Sequence, residues 1–85
     1  MASYTRDLRS LPIWLLGEYL QELGGRPLPG RAYQGNGWQA QLTQIEDYAI
    51  GSLRVGQVRL EWQGDDQAHH IIWPQLEKKL MRAGG

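Results

Sequence analysis

Residues Arg31 to Gln63 read RAYQGNGWQAQLTQIEDYAIGSLRVGQVRLEWQ, and the fold turns on how this stretch pairs with itself. Apolar and polar residues alternate along it with a period of two, the pattern of strands buried on one face. Asn36-Gly37 is a strong tight-turn signal, and a two-residue turn there sets Tyr33 opposite Ala40 and Trp38 opposite Gly35, with Leu42 further along the same face. A second turn near Glu46-Asp47 would set Leu42 against Gly51, Ala40 against Leu53 and Trp38 against Val55. Glu46-Asp47 is poor tight-turn chemistry, so a longer loop there is equally acceptable. Beyond it the apolar positions pass from odd-numbered Leu53 and Val55 to even-numbered Val58, Leu60 and Trp62. A turn at Gly56-Gln57 removes that slip by pairing Val55 with Val58 and Leu53 with Leu60; a bulge at Gly56 is the alternative. The expectation is four meandering strands that keep every large apolar side chain on one face.

Helices flank this meander. Leu15, Leu16, Tyr19, Leu20 and Leu23 keep helical spacing while Glu18, Gln21 and Glu22 hold the other face, which predicts a helix from about Leu11 to Leu23. Ser10 is its expected N-cap, Pro12 suits the first turn, and Gly24-Gly25 supplies a left-handed exit. Ala68, Ile72, Leu76 and Leu80 step by four through Asp65 to Arg82, with an aspartate available as cap and basic residues at the end. Pro74 either kinks this second helix or delays its start, and the kinked helix is the favoured reading. A short strand is expected at Ala2 to Arg6. The order is α+β: strand, helix, four strands and helix in two layers, both helices covering one sheet face.

The chain has 85 residues, nine basic and nine acidic side chains and no cysteine, so it is one small domain spanning residues 1 to 85. Folding hides only about 60% of the unfolded surface at this size, which leaves little depth for an active site. Zero formal charge argues against a general nucleic-acid or anionic-membrane binder. No apolar run approaches the roughly 20 residues of a membrane span, and Met1 to Arg9 is too polar for a secretory signal. A cytoplasmic protein is the expectation.

The order also resembles something known. Trp14-Leu15-Leu16, Glu18-Tyr19-Leu20 and Glu22-Leu23-Gly24-Gly25, then Gly51 to Leu60 and the tail Trp73 to Leu80, resemble a small domain of unknown function. That domain lies at the C-terminus of some proteins related to the molybdopterin-synthase small subunit, a ubiquitin-like sulfur carrier. The resemblance spans most of the chain through general pattern, without a catalytic signature. It implies a β-α-β4-α fold similar to the TATA-box-binding-protein type and a link to sulfur-carrier pathways. The sulfur-carrier domain itself is absent from this sequence, which weakens the link.

No catalytic constellation emerges, and no cofactor or metal is expected. His69-His70 are neighbours and lack the i, i+4 spacing of helical zinc ligands; one is expected at the core border and the other in solvent. Ser3, Ser10 and Ser52 lie outside any nucleophile elbow, and the loop Gly24 to Gly30 holds no phosphate-binding motif. A non-catalytic binding domain is therefore expected, with a protein partner or a second copy of itself. The hairpin register turns Arg54 and Arg59 outward opposite one another, with Glu61 as the nearby counter-charge, and Ile45, Tyr48 and Ile50 lie further along that open face. Two guanidiniums beside an apolar cluster have the anatomy of a contact surface. Trp14 and Trp73, at the edges of the helical stripes, are further contact candidates, although core packing competes; Trp38 and Trp62 are assigned to the core. Two alternatives remain: a small-ligand or nucleic-acid binder on the open face, and a sulfur carrier using Gly84-Gly85. Glycine just past a helix is also a common cap, which favours a structural ending.

Overall fold

The computed structural model describes Met1 to Arg82 and is an α+β sandwich of one sheet and one helical layer. Five strands, β1 (Ala2–Arg9), β2 (Arg26–Leu28), β3 (Ala32–Gly35), β4 (Trp38–Ile50) and β5 (Leu53–Gly64), form an antiparallel sheet in the order β1-β5-β4-β3-β2. Helices α1 (Ile13–Glu22), α2 (Asp66–Ile71) and α3 (Trp73–Arg82) complete the described chain. Leu16 and Leu20 of α1 and Leu76 and Leu80 of α3 pack with Trp38, Leu42, Leu60 and Trp62 in one buried cluster, so the helices share one sheet face.

The Asn36-Gly37 turn forms as expected, pairing Gly35 with Trp38 and Tyr33 with Ala40 around a left-handed Gly37 (φ 83°). Gly35 has no freedom to be anything larger, because the Trp38 indole occupies the space a β-carbon would need. The two later turns do not form. β4 runs without interruption through Glu46-Asp47 and turns only at Gly51-Ser52, where Gly51 (φ 60°) takes the first position of a two-residue turn. Leu42 therefore faces Leu60, Ala40 faces Trp62 and Trp38 faces Gly64. Gly56-Gln57 lies inside β5.

The apparent phase slip has a different cause. β5 alternates regularly from end to end; Val58, Leu60 and Trp62 point to the helices, whereas Leu53 and Val55 point to the open face. The irregularity is on β4, where pairing passes from Ile45–Gln57 to Tyr48–Val55 and places Glu46 and Asp47 together opposite Gly56. That bulge switches the open-face positions of β4 from odd to even, so Ile45, Tyr48 and Ile50 share one side.

Elsewhere the termini of elements moved. β1 continues past Arg6 to Arg9, and Arg26–Leu28, expected as a connection, adds an edge strand. Ser10 does not cap α1. It adopts φ 64° while donating its backbone N–H to Gly56 O at 2.9 Å, and Pro12 takes the cap position without a side-chain bond. Gly24 (φ 96°) provides the expected left-handed exit. The C-terminal helix kinks at Ile72, the favoured reading; Ile72 keeps helical backbone (φ −89°, ψ −46°) and the bonds Ile72 N to Ala68 O and Leu76 N to Ile72 O, and Pro74 falls in the first turn of α3 where it needs no N–H. Asp65 caps α2 by accepting from Ala68 N at 2.8 Å. Lys79 pairs with Glu22 between α3 and α1, and Arg6 bonds Glu77 at 2.9 Å between sheet and helix.

Candidate functional site

Antiparallel register sorts the outward side chains into rows across the open face. Thr43, Arg59 and Asp7 form one row, and Ile45, Gln57 and Arg9 the next. Beyond Arg9, β1 ends, and β3 reaches no further toward that end than Ala32 opposite Gln41, so the far half of the β4–β5 hairpin continues as a two-stranded arm. At about 3.3 Å per residue a strand of 13 residues is some 43 Å long, and the molecule's longest dimension is 43 Å against 25 and 21 Å for the others. The arm's open face carries Tyr48 paired with Val55 and Ile50 paired with Leu53. Leu53 is 61% exposed and Ile50 56%, unusual values for aliphatic side chains that sit side by side.

The arginine pair expected on this face is not brought together. Arg54 faces Ala49 on the arm's other side, and Arg59 stands opposite Thr43 and Asp7. Arg59 Nε and a terminal nitrogen donate to the two Asp7 oxygens at 2.8 and 3.1 Å, a bidentate fork. This hydrogen bonding holds the Asp7 carboxyl below its ordinary value and the Arg59 guanidinium above its own, with mutual charge attraction as a further cause. Asp7 is the hydrogen-bonded counter-charge, and Glu61, the expected one, adds a smaller attraction without a bond. Arg59 is thus already satisfied and is not a free fork for a partner. Arg9 instead lies over the Tyr48 ring, 3.5 Å from its centroid, and braces the root of the arm through a cation–π contact.

Of the two tryptophan candidates, Trp73 is 4% exposed and stacks on Tyr4 with ring centroids 4.1 Å apart and planes 4° from parallel. It belongs to the core, because it is the first residue of α3 and is pressed down between Tyr4 and Trp62. Trp14 is 64% exposed on α1, in the helical layer and away from the open face. His69 borders the core and bonds the Tyr4 hydroxyl, whereas His70 is exposed, as the spacing predicts. Among the described residues no three His, Asp or Glu side chains gather as a metal site. Gly84 and Gly85 lie outside the described residues.

Sequence reasoning missed Leu53, Val55, Arg9 and Asp7. Leu53 and Val55 looked like core because an apolar alternation does not say which face is covered. Arg9 and Asp7 were legible in principle, since Thr5, Asp7 and Arg9 alternate with Tyr4, Arg6 and Leu8, but only a strand longer than five residues includes them.

A bulged hairpin arm with an apolar face, rooted in a two-layer body, places the chain among small α+β domains. The chain matches the family model of the archaeal MoaD-like protein over residues 4–85, and it belongs to that family. No curated protein matches it. No helix among the described residues is long and apolar enough to cross a membrane.

Proposed function

We propose that this protein is a non-catalytic contact domain of sulfur-carrier machinery, docking on a protein partner through the open face of its hairpin arm. The observation that carries this reading is the pair Ile50 and Leu53, more than half exposed on an arm that no helix covers. Tyr48 and Val55 extend that apolar face, and the Arg9 guanidinium beside Tyr48 supplies a polar rim, the composition of a contact surface. Membership of a MoaD-like family supports a partner from sulfur-carrier chemistry. A second copy of the chain is the alternative occupant. The test is the double variant Tyr48→Ala and Leu53→Ser, compared with the parent protein by sedimentation and by capture of a purified sulfur-carrier-activating enzyme. Loss of capture supports the reading, and a parent dimer that the variant abolishes assigns the face to self-association. Unchanged behaviour in both measurements overturns it.

A second reading, a carrier that is itself activated at Gly85, is favoured by the Gly84-Gly85 sequence together with the family. Against it, α3 continues to Arg82 with Leu80 4% exposed, so the segment leading to Gly84-Gly85 is anchored in the core. Incubation with ATP and the activating enzyme should leave the intact mass unchanged; replacement of one C-terminal oxygen by sulfur, lost on deleting Gly85, would establish the carrier. Nucleic acid is the least supported partner, since nine basic and nine acidic residues cancel.

A further inference from the structure

At the end of the open face away from the arm, the twisted sheet forms a trough of about 460 Å³, a size typical of small-molecule sites. Its polar lining comes from Ser3, Thr5, Gln39, Gln41, Glu61 and Gln63, spread over β1, β5 and β4. Leu28 and Ala32, paired across β2 and β3, form an apolar side wall.

Gln41 and Glu61 place two acceptors side by side in this lining, among the Ser3 and Thr5 hydroxyls and the Gln39 and Gln63 amides, which both donate and accept. Gln41 Nε2 donates to Gly30 O at 2.7 Å and to Leu42 O at 3.0 Å, which uses both of its hydrogens and leaves Oε1 as an acceptor. Glu61, in the same row as Gln41 and Thr5, offers only acceptor oxygens. Among the described residues no cation lies within ion-pair distance of Glu61. Arg59, two positions along β5, is held by Asp7. Arg26 shares the face but stands on β2, three strands away from β5, roughly 14 Å at sheet spacing. An anion entering the trough would meet the Glu61 carboxylate, which no ion pair covers, and an apolar molecule would desolvate it without a partner. A planar cation with several donors satisfies both demands.

We propose that this trough binds a small molecule bearing a guanidinium group, which donates in fork fashion to Glu61 and to Gln41 Oε1 while its aliphatic stem runs along Leu28 and Ala32. Bidentate carboxylate recognition is what distinguishes guanidinium from ammonium at such a place. This site is separate from the arm, and its occupancy does not depend on the contact reading above.

The probe is agmatine, a guanidinium on a short aliphatic amine, titrated into the full chain and followed by amide NMR. Saturable shifts confined to the neighbourhood of Ser3, Thr5, Gln41 and Glu61 are expected, with at least tenfold weaker binding in Glu61→Gln and unchanged binding in Glu46→Gln on the arm. Putrescine, which carries ammonium groups only, should bind several-fold more weakly. Both variants change exposed side chains, and an unchanged free spectrum outside the substitution checks that they fold. Absence of saturation, shifts centred elsewhere, or equal affinity of Glu61→Gln would overturn the site. Equal affinity for putrescine would overturn its guanidinium preference.

Discussion

Asp7 and Arg59 face one another across β1 and β5 and meet through two parallel hydrogen bonds, so a surface pair acquires a defined geometry. The pair's effect on acid stability has a fixed sign. Because the folded Asp7 carboxyl titrates below the ordinary 3.8, its contribution is present above that value and is lost as pH falls through the folded one. An NMR titration should place the Asp7 midpoint below 3.8 in the parent protein and move it upward in Arg59→Gln. A midpoint that ignores the substitution would show that the fork is not maintained in solution. Both groups are exposed, so the effect is modest and screened by salt.

At the scale of elements, the two helix starts are built differently. Asp65 caps α2 with its carboxylate, whereas α1 begins at Pro12 and the preceding Ser10 is spent on a left-handed link that continues the β1 pairing. Asp65→Ala should lower unfolding free energy by about 1 kcal/mol, the usual worth of an N-cap. Ser10→Gly removes no cap and relieves a left-handed conformation, so stability should hold or rise by up to about 1 kcal/mol. Denaturant midpoints of the two variants separate these outcomes, and a destabilised Ser10→Gly would contradict the assignment. The start of α1 misled sequence reasoning because serine before a proline-led helix is an ordinary cap signal. What displaced it was a tertiary demand, the extension of β1 to Arg9 and its closing bond to Gly56.

For the molecule as a whole, the long hairpin passes through two environments. Leu42, Leu60 and Trp62 are 1–2% exposed beneath the helices, while Tyr48, Ile50, Leu53 and Val55 lie on an arm without a second layer. Strand pairing runs its whole length except at the Glu46-Asp47 bulge, but buried contacts stop short of the arm, so local opening should begin at the turn. Amide hydrogen exchange should find Leu42, Leu60 and Trp62 protected to near the global unfolding limit and Tyr48 and Leu53 exchanging by cheaper local fraying. Leu60→Ala should cost about 2–5 kcal/mol, as for other buried leucines. Uniform protection along β4 and β5 would mean that the arm is covered in solution, which by itself would locate the partner surface.

Local pattern was enough for the α+β class, the two helical regions, the Asn36-Gly37 turn and the inward placement of Trp38, Leu42, Leu60 and Trp62. These follow from local periodicity and turn chemistry, which act over a few residues. It did not determine where β4 ends or which face Leu53, Val55 and Arg54 occupy. An alternating strand has the same pattern whichever side is covered, and a bulge at Glu46-Asp47 inverts every later position without any marker in composition. Those choices belong to the tertiary structure: the helical layer is shorter than the sheet, so identical alternation is core under the helices and contact surface beyond them.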